Sequence, residues 1–334
     1  MSRSLRLAAL VAVAAVAVSC SSSNHSSATP TSGASATTGA PGSNSVDTVA
    51  TDTVTTDEVA TTAGVATTAV PQGPVYPLTG LPATDPAIAA RPALVVKIDN
   101  NKLARPQSGL NEADIVFEEI VEVQTRFAAV FQSQGADPVG PIRSGRTQDI
   151  LLLGSFNKPL FMWSGGNANV TRAIENSDFV NLSAQRSHVY AGAGFYRSRD
   201  RKSPHDLYAK CTAAWSLAPA GAEPPPQQFS YLAPGAGAAG TPASGVDLDM
   251  FGLAVGWRFD AATGLYLRTS AGSPHNDALS GQLSTNNVIV MVVDYRPSAA
   301  DAHSPEAQTV GSGEVYLYTA GKVVHGTWTR ADRL

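Results

Sequence analysis

Apolar positions along this chain fall into three regimes. Residues 7–18 are an unbroken apolar run, residues 20–74 hold almost no large apolar side chain except Val, and beyond residue 75 short apolar runs alternate with polar turns. In the third regime Val95-Val96-Lys97-Ile98-Asp99 reads as a buried strand ending on a carboxylate, and residues 115–121 and 126–132 read as two more strands. Thr147 and Asp149 are placed to cap a helix carried by Ile150, Leu151, Leu153 and Phe156. Asn169, Val170 and Ile174 suit a second helix opening just after Gly165-Gly166. Strands and helices interleaved in this way predict an α/β, or mixed α+β, N-terminal domain.

Past residue 245 the pattern is β. Residues 257–260 and 265–269, joined by Ala261-Ala262-Thr263-Gly264, form one expected hairpin. Residues 287–295 form an apolar strand, and residues 314–318 and 322–328, joined through Ala320-Gly321, form a second hairpin. Between the two parts, residues 219–245 turn to Pro, Ala and Gly around Pro224-Pro225-Pro226, the composition of a linker or a long surface crossing. The expected organisation is therefore a leader (1–19), a tether (20–74), an N-terminal α/β domain (75–218), a linker (219–245) and a β-rich C-terminal domain (246–334).

The leader carries Arg3 and Arg6 ahead of its apolar run, as a secretory signal does. As a helix that run would span about 18 Å against a hydrocarbon core of about 30 Å, so it is too short for a lasting span. Ala17-Val18-Ser19-Cys20 resembles a lipobox, which makes Cys20 the expected lipidation site and places the chain on the outer side of a cell membrane. An ordinary signal cut near Ala17 and Ser19 is the alternative. The Ser, Thr, Ala, Gly and Pro of the tether cannot build a core. As a flexible coil of about 55 residues it would reach roughly 40 Å.

Cys211 is the one cysteine besides Cys20, so no disulfide forms within the mature chain and no Cys-x-x-Cys spacing exists. Loss of Arg3 and Arg6 with the leader leaves 23 − 2 = 21 basic residues against 27 acidic ones, a formal balance of −6. Such a chain is not a general nucleic-acid binder. No His-Glu-x-x-His, Walker loop or Gly-x-Ser-x-Gly occurs, and neither a metal nor a cofactor is expected.

Several words then occur in a fixed order: Pro77-Leu78-Thr79-Gly80-Leu81, Ile98-Asp99-Asn100, Ala104-Arg105-Pro106-Gln107-Ser108-Gly109-Leu110, Ala113-Asp114-Ile115-Val116 and Gly140-Pro141-Ile142-Arg143-Ser144-Gly145-Arg146. Arg201-Lys202-Ser203-Pro204-His205 and Gly311-Ser312-Gly313-Glu314 continue the series. From about Tyr76 onward the chain resembles the YerB-like lipoproteins. The resemblance implies an envelope lipoprotein with distinct N- and C-terminal parts, and it supplies no reaction. Two departures stand out. Glu122-Val123-Gln124-Thr125-Arg126 replaces a frequent Gly-Gly pair, and the sequence stops at Leu334, where relatives continue through another hairpin. That stop is expected to leave a sheet edge unpaired.

Candidate chemistry centres on arginines beside tight turns: Arg105, Arg126, Arg143, Arg146, Arg199 and Arg201. Guanidinium forks and nearby backbone N–H groups suit phosphate or carboxylate, so these arginines are the expected lining of an anion site. The competing reading pairs them with Asp99, Asp114, Glu118, Glu119 and Glu122 to brace irregular loops. His205, in Ser203-Pro204-His205-Asp206, is the candidate acid or base, with Asp99 as the second catalytic candidate; His275-Asn276-Asp277 reads as a turn before Gly281. The layout Asp99, Arg105, Asp114, Arg143 is also similar to the LytR-CpsA-Psr glycopolymer transferases, although their Arg-Ser-Asp and Pro-Arg-Asp words are absent. Three functions follow: an envelope protein binding an anionic wall component or a protein partner, an enzyme acting on lipid-linked or wall glycopolymers, and a regulatory partner of another envelope protein.

Overall fold

The computed structural model describes residues 8–14, 73–233 and 236–333. Strand β1 (Ala8–Ala14) lies within the apolar leader run, while Cys20 and nearly all of the expected tether fall outside the described residues. The N-terminal part mixes helices and strands. Helix α1 (Pro86–Ala89) leads into β2 (Leu94–Asp99), β3 (Ile115–Val121) and β4 (Gln124–Phe131). Helix α2 (Gln148–Leu152), β5 (Leu160–Trp163), α3 (Ala168–Glu175), β6 (Val180–Ser183) and α4 (Ser187–Gly192) then alternate. A small hairpin of β7 (Tyr196–Arg197) and β8 (Leu207–Tyr208) precedes α5 (Cys211–Trp215).

The C-terminal part is strand-rich. It opens with β9 (Thr241–Pro242), β10 (Gly245–Met250), β11 (Leu253–Asp260) and β12 (Leu265–Ser270). Four two-residue strands, β13 (Ser273–Pro274), β14 (Asn276–Asp277), β15 (Gly281–Gln282) and β16 (Ser284–Thr285), lead to β17 (Asn287–Val293). The short β18 (Tyr295–Pro297) and β19 (Pro305–Ala307) pair with each other, and β20 (Gly311–Thr319) and β21 (Lys322–Arg330) form a hairpin. The expected fold class, α+β followed by a β-rich part, is the observed one.

Ten strands form one sheet in the order β6-β5-β2-β4-β3-β1-β17-β20-β21-β9, and β10-β11-β12-β13 with β16 form a second. β2, β5 and β6 run parallel to one another, β4 runs antiparallel to β2, and β3 runs antiparallel to β4. β2 is buried at all six positions because it is covered on both faces, which is why its sequence is a continuous apolar run broken by Lys97. Leu94, Val96 and Ile98 join Phe127, Met162, Val189 and Cys211 on one side, and Val95 joins Ile115, Trp163, Val170 and Ile174 on the other. A third core packs Met250, Val255, Trp257 and Tyr266 against Ile120, Val288 and Val290. Lys97 survives in the sheet because Glu119 and Asp149 flank its ammonium, Asp149 at 2.8 Å. Burial still pulls it down to about 8, against the raising effect of Asp149.

Two expectations about the first helix are corrected. The helix expected to run to Phe156 stops at Leu152, and a 3-10 turn over Gly154–Phe156 follows; Gly154 lies so close to Arg333 that a Cβ there would meet its carbonyl oxygen at 2.6 Å. Thr147 makes no cap bond, since its hydroxyl meets Ser298 Oγ at 2.6 Å, and Asp149 accepts from the Arg146 N–H at 2.7 Å. The second helix is capped by Asn167, whose Oδ1 accepts from the N–H groups of Asn169 and Val170. Residues 219–240 have no regular helix or strand among the described residues. Gln228 anchors this stretch by accepting from Ser155 Oγ at 2.8 Å, and the Tyr231 ring lies against Gly80. At the sheet edge, β9 pairs with β21 at Lys322 and Val323.

Candidate functional site

The site grows from the carboxyl ends of the parallel strands. β2 delivers Asp99 at its last position, and the chain after the β4 region runs back beside it: Ile142 bridges to Ile98, and the Arg143 N–H donates to the Lys97 carbonyl at 2.9 Å. The end of β5 adds Ser164, whose N–H donates to the Arg143 carbonyl at 3.0 Å, and the end of β6 adds Ala184 and Gln185. Tyr190 of α4, Arg197 of β7, Pro204 and Leu207 close a cavity of about 310 Å³ that Ile142, Arg143, Ser164, Ala184 and Gln185 also line. Open sheets with parallel strands characteristically bind ligands beyond those strand ends, because loops diverge there.

Asp99 is completely buried and organises the floor. Its Oδ2 lies 2.7 Å from His205 Nδ1 and 3.1 Å from Arg143 Nε, and its Oδ1 accepts from the Asn101 N–H at 2.9 Å. A carboxylate can only accept, so His205 Nδ1 carries the proton and Nε2 is left without a protein partner among the described residues. The Arg143 contact is an ion pair without hydrogen-bond alignment. The side chain is 20% exposed, and its two terminal nitrogens meet no protein acceptor among the described residues. Arg197, the other cation of the cavity, is held by Asp206.

The remaining sequence candidates sit as follows. Arg126 and Arg146 lie near Arg143: burial first, then the charges of Arg146 and Arg143, pull the Arg126 guanidinium down to about 10. Arg126 donates to the Ser144 carbonyl at 2.9 Å, and Arg146 donates to Glu122 Oε1 at 2.7 Å through Nε. Burial alone would raise the Glu122 carboxyl, but the Ser304 hydroxyl and Arg146 together hold it below its ordinary value. Arg105 turns away to Ser270 Oγ at 2.7 Å and to Asn100. Arg201 is spent on the carbonyls of Leu103, Arg105 and Pro106, and Arg199 is exposed. Asp114 is remote from this group and accepts from the N–H groups of Gln132 and Ser133 and from the Ser133 hydroxyl. The four-residue transferase layout is therefore not gathered: Asp99 and Arg143 meet, Arg105 and Asp114 serve elsewhere. Among the described residues no three His, Cys, Asp or Glu side chains are grouped to hold a metal ion.

Sequence reasoning missed Ser164, Gln185, Tyr190 and Arg197. Their common signal is position just past a strand or in the helix and hairpin that follow, which becomes visible only when the parallel strand order is known. It also missed a buried relay behind the site. Arg268 donates to both Glu118 oxygens at 2.8 and 2.7 Å and to His275 Nδ1. His275 Nε2–H therefore donates to Gln107 Oε1 at 2.8 Å, and Gln107 Nε2 donates to the Asp99 carbonyl at 2.8 Å. Asp277, two residues on, braces the local turn by accepting from the Leu279 and Leu110 N–H groups.

Two family profiles match this chain. Protein of unknown function (DUF3048) N-terminal domain covers residues 78–222, and the DUF3048 C-terminal domain covers residues 246–333. The chain belongs to the DUF3048 family. It is 38% identical over 135 residues to a protein named Putative lipoprotein YerB of Bacillus subtilis (strain 168); the match spans 40% of this chain and 39% of that protein's length. The crystal structure of YerB protein from Bacillus subtilis is similar with a TM-score of 0.63 and 26% identity, over 77% of this chain and 87% of that one. All the cavity residues of this DUF3048 chain lie in the segment matched by the N-terminal profile, whereas Arg268 and His275 of the relay come from the C-terminal one.

Chemically, the DUF3048 cavity offers one guanidinium fork with open donors, a hydroxyl, an amide and a tyrosine ring. Such a set can hold a planar or tetrahedral oxyanion at one end and a polar body at the other. Next to the cavity-lining Pro204, His205 is held by Asp99 through Nδ1, and its Nε2 is a group able to accept or give a proton.

Proposed function

We propose that this chain is a lipoprotein anchored through Cys20 on the outer side of a cell membrane, and that it binds an anionic envelope component, phosphate- or carboxylate-bearing, in the Arg143 cavity. The name of the Bacillus subtilis relative and the lipobox-like Ala17-Val18-Ser19-Cys20 support the anchor. The observation that carries the ligand reading is Arg143: oriented by Asp99, lining a cavity beyond parallel strand ends, and with both terminal nitrogens unclaimed among the described residues. A volume of about 310 Å³ suits a small charged group rather than a polyprenyl chain.

The test is a thermal-shift titration of the full chain carrying Cys20→Ser with pyrophosphate and acidic wall fragments. Stabilisation present in this protein, absent in Arg143→Ala and retained in Arg146→Ala is the expected result; an unchanged midpoint with every ligand removes the reading. For the anchor, Cys20→Ser abolishes lipid attachment, read as loss of the acyl-glyceryl mass from the intact protein. A second reading, catalysis on the bound component, is favoured by the Asp99–His205 pair with its open Nε2, the arrangement a general base requires.

A further inference from the structure

β1 occupies the middle of the ten-stranded sheet. Its residues pair antiparallel with β17 from Ala8 opposite Val293 to Ala14 opposite Asn287, and with β3 from Val11 opposite Glu118 to Ala14 opposite Ile115. Among the described strands no other joins β3 to β17. Neighbouring strands lie about 4.8 Å apart, so β3 and β17 stand about 10 Å apart across β1 and cannot pair with each other. Without β1, backbone N–H and C=O groups would face an empty slot between two hydrophobic cores. Ile115, Phe117, Met291 and Val293 belong to the core on one face, and Val116, Ile120, Val288 and Val290 to the core on the other.

A strand covered on both faces has to be apolar at every position. Residues 7–18 meet that demand, whereas residues 20–74, rich in Thr and Ser, do not. Cleavage before Cys20, on which this inference rests, would remove the one N-terminal segment that fits. We infer that the gap between β3 and β17 is a strand-acceptor site, held by the leader in the precursor and filled in the processed lipoprotein by an extended apolar segment of about seven residues from a second polypeptide. Strand addition satisfies the exposed backbone groups of both neighbours at once, as donor strands do in pilin assembly.

The experiment uses the full chain with Cys20→Ser, which keeps the leader attached, and a protease site inserted after Ser23. Hydrogen–deuterium exchange of residues 115–121 and 287–293 is followed before cleavage, after the cut leader is washed away, and after addition of a Lys-tagged peptide of residues 7–16 or, as control, of tether residues 54–63. Slow exchange in the uncut chain, at least tenfold faster exchange after removal, and recovery with the apolar peptide alone are expected. Should removal also open β2, recovery of β2 by the apolar peptide and not by the control supports the acceptor site equally. Fast exchange in the uncut chain, equal protection after removal, or recovery by the tether peptide would each overturn the inference. Native processing is read separately, from the mass of the mature N-terminus, so its failure and that of the acceptor site are told apart.

Discussion

His205 Nδ1 sits 2.7 Å from Asp99 Oδ2, joining a loop residue to the last position of a strand 106 residues earlier. The contact gives Asp99 its protonated neighbour, leaves Nε2 open, and lets the same carboxylate orient Arg143.

Asp99→Ala is therefore expected to destabilise the chain by about 3 kcal/mol, because it removes the acceptor of His205 Nδ1–H and of the Asn101 N–H and the counter-charge of Arg143. Urea unfolding of the full chain measures this. A loss below about 0.5 kcal/mol, the level of an ordinary surface substitution, would mean that the floor is not organised by Asp99.

The pairing of Arg268 with Glu118 is bidentate, and both side chains are almost fully buried. Arg268→Ala leaves a buried carboxylate unpaired and should cost about 3–5 kcal/mol. Arg268→Lys should recover only part of it, since an ammonium cannot span both oxygens. Equal stability of the Lys variant and the parent protein would refute the bidentate geometry as the source of the effect.

His275 makes the acid response predictable. Burial, then the charges of Arg268 and Arg105, push its imidazole down to about 2, while in the unfolded chain it titrates near about 6.5. Between those values the unfolded state binds a proton that the native state refuses, so stability rises with pH through this window and is lost as pH falls. The slope is about 1.4 kcal/mol per pH unit, or about 2 kcal/mol between pH 6.5 and 5, before most carboxylates protonate. His275→Gln should flatten that segment of the stability curve, and parallel curves for the two proteins would contradict the buried neutral tautomer.

Cys211, the first residue of α5, faces the core, and burial pushes its thiol up to about 12. In the Cys20→Ser background, a thiol reagent at pH 8 should leave the native chain unlabelled and label it fully in denaturant. Rapid labelling of the native chain would place Cys211 at the surface instead.

Legibility in the sequence followed the physical range of each signal. β2 was readable because a strand covered on both faces must be apolar throughout, and the C-terminal hairpins because alternation and a Gly-containing turn are local. Thr147 does not cap its helix because its hydroxyl answers Ser298, 151 residues away, and nothing local to the helix signals that partner. Among the site residues, Asp99, Arg143 and His205 announced themselves by residue type, yet Arg105 and Arg201, equal in type and setting, are consumed by Ser270 and by backbone carbonyls.

What the sequence determined by itself is the leader and tether composition, the α+β then β-rich order of elements, and the supply of arginines, since each depends on composition or on short-range periodicity. Which guanidinium remains open was decided only by tertiary structure. A charge is claimed by whichever partner the fold brings within hydrogen-bond reach, and parallel strand order, cavity and buried relay are all set by contacts between residues far apart in the chain.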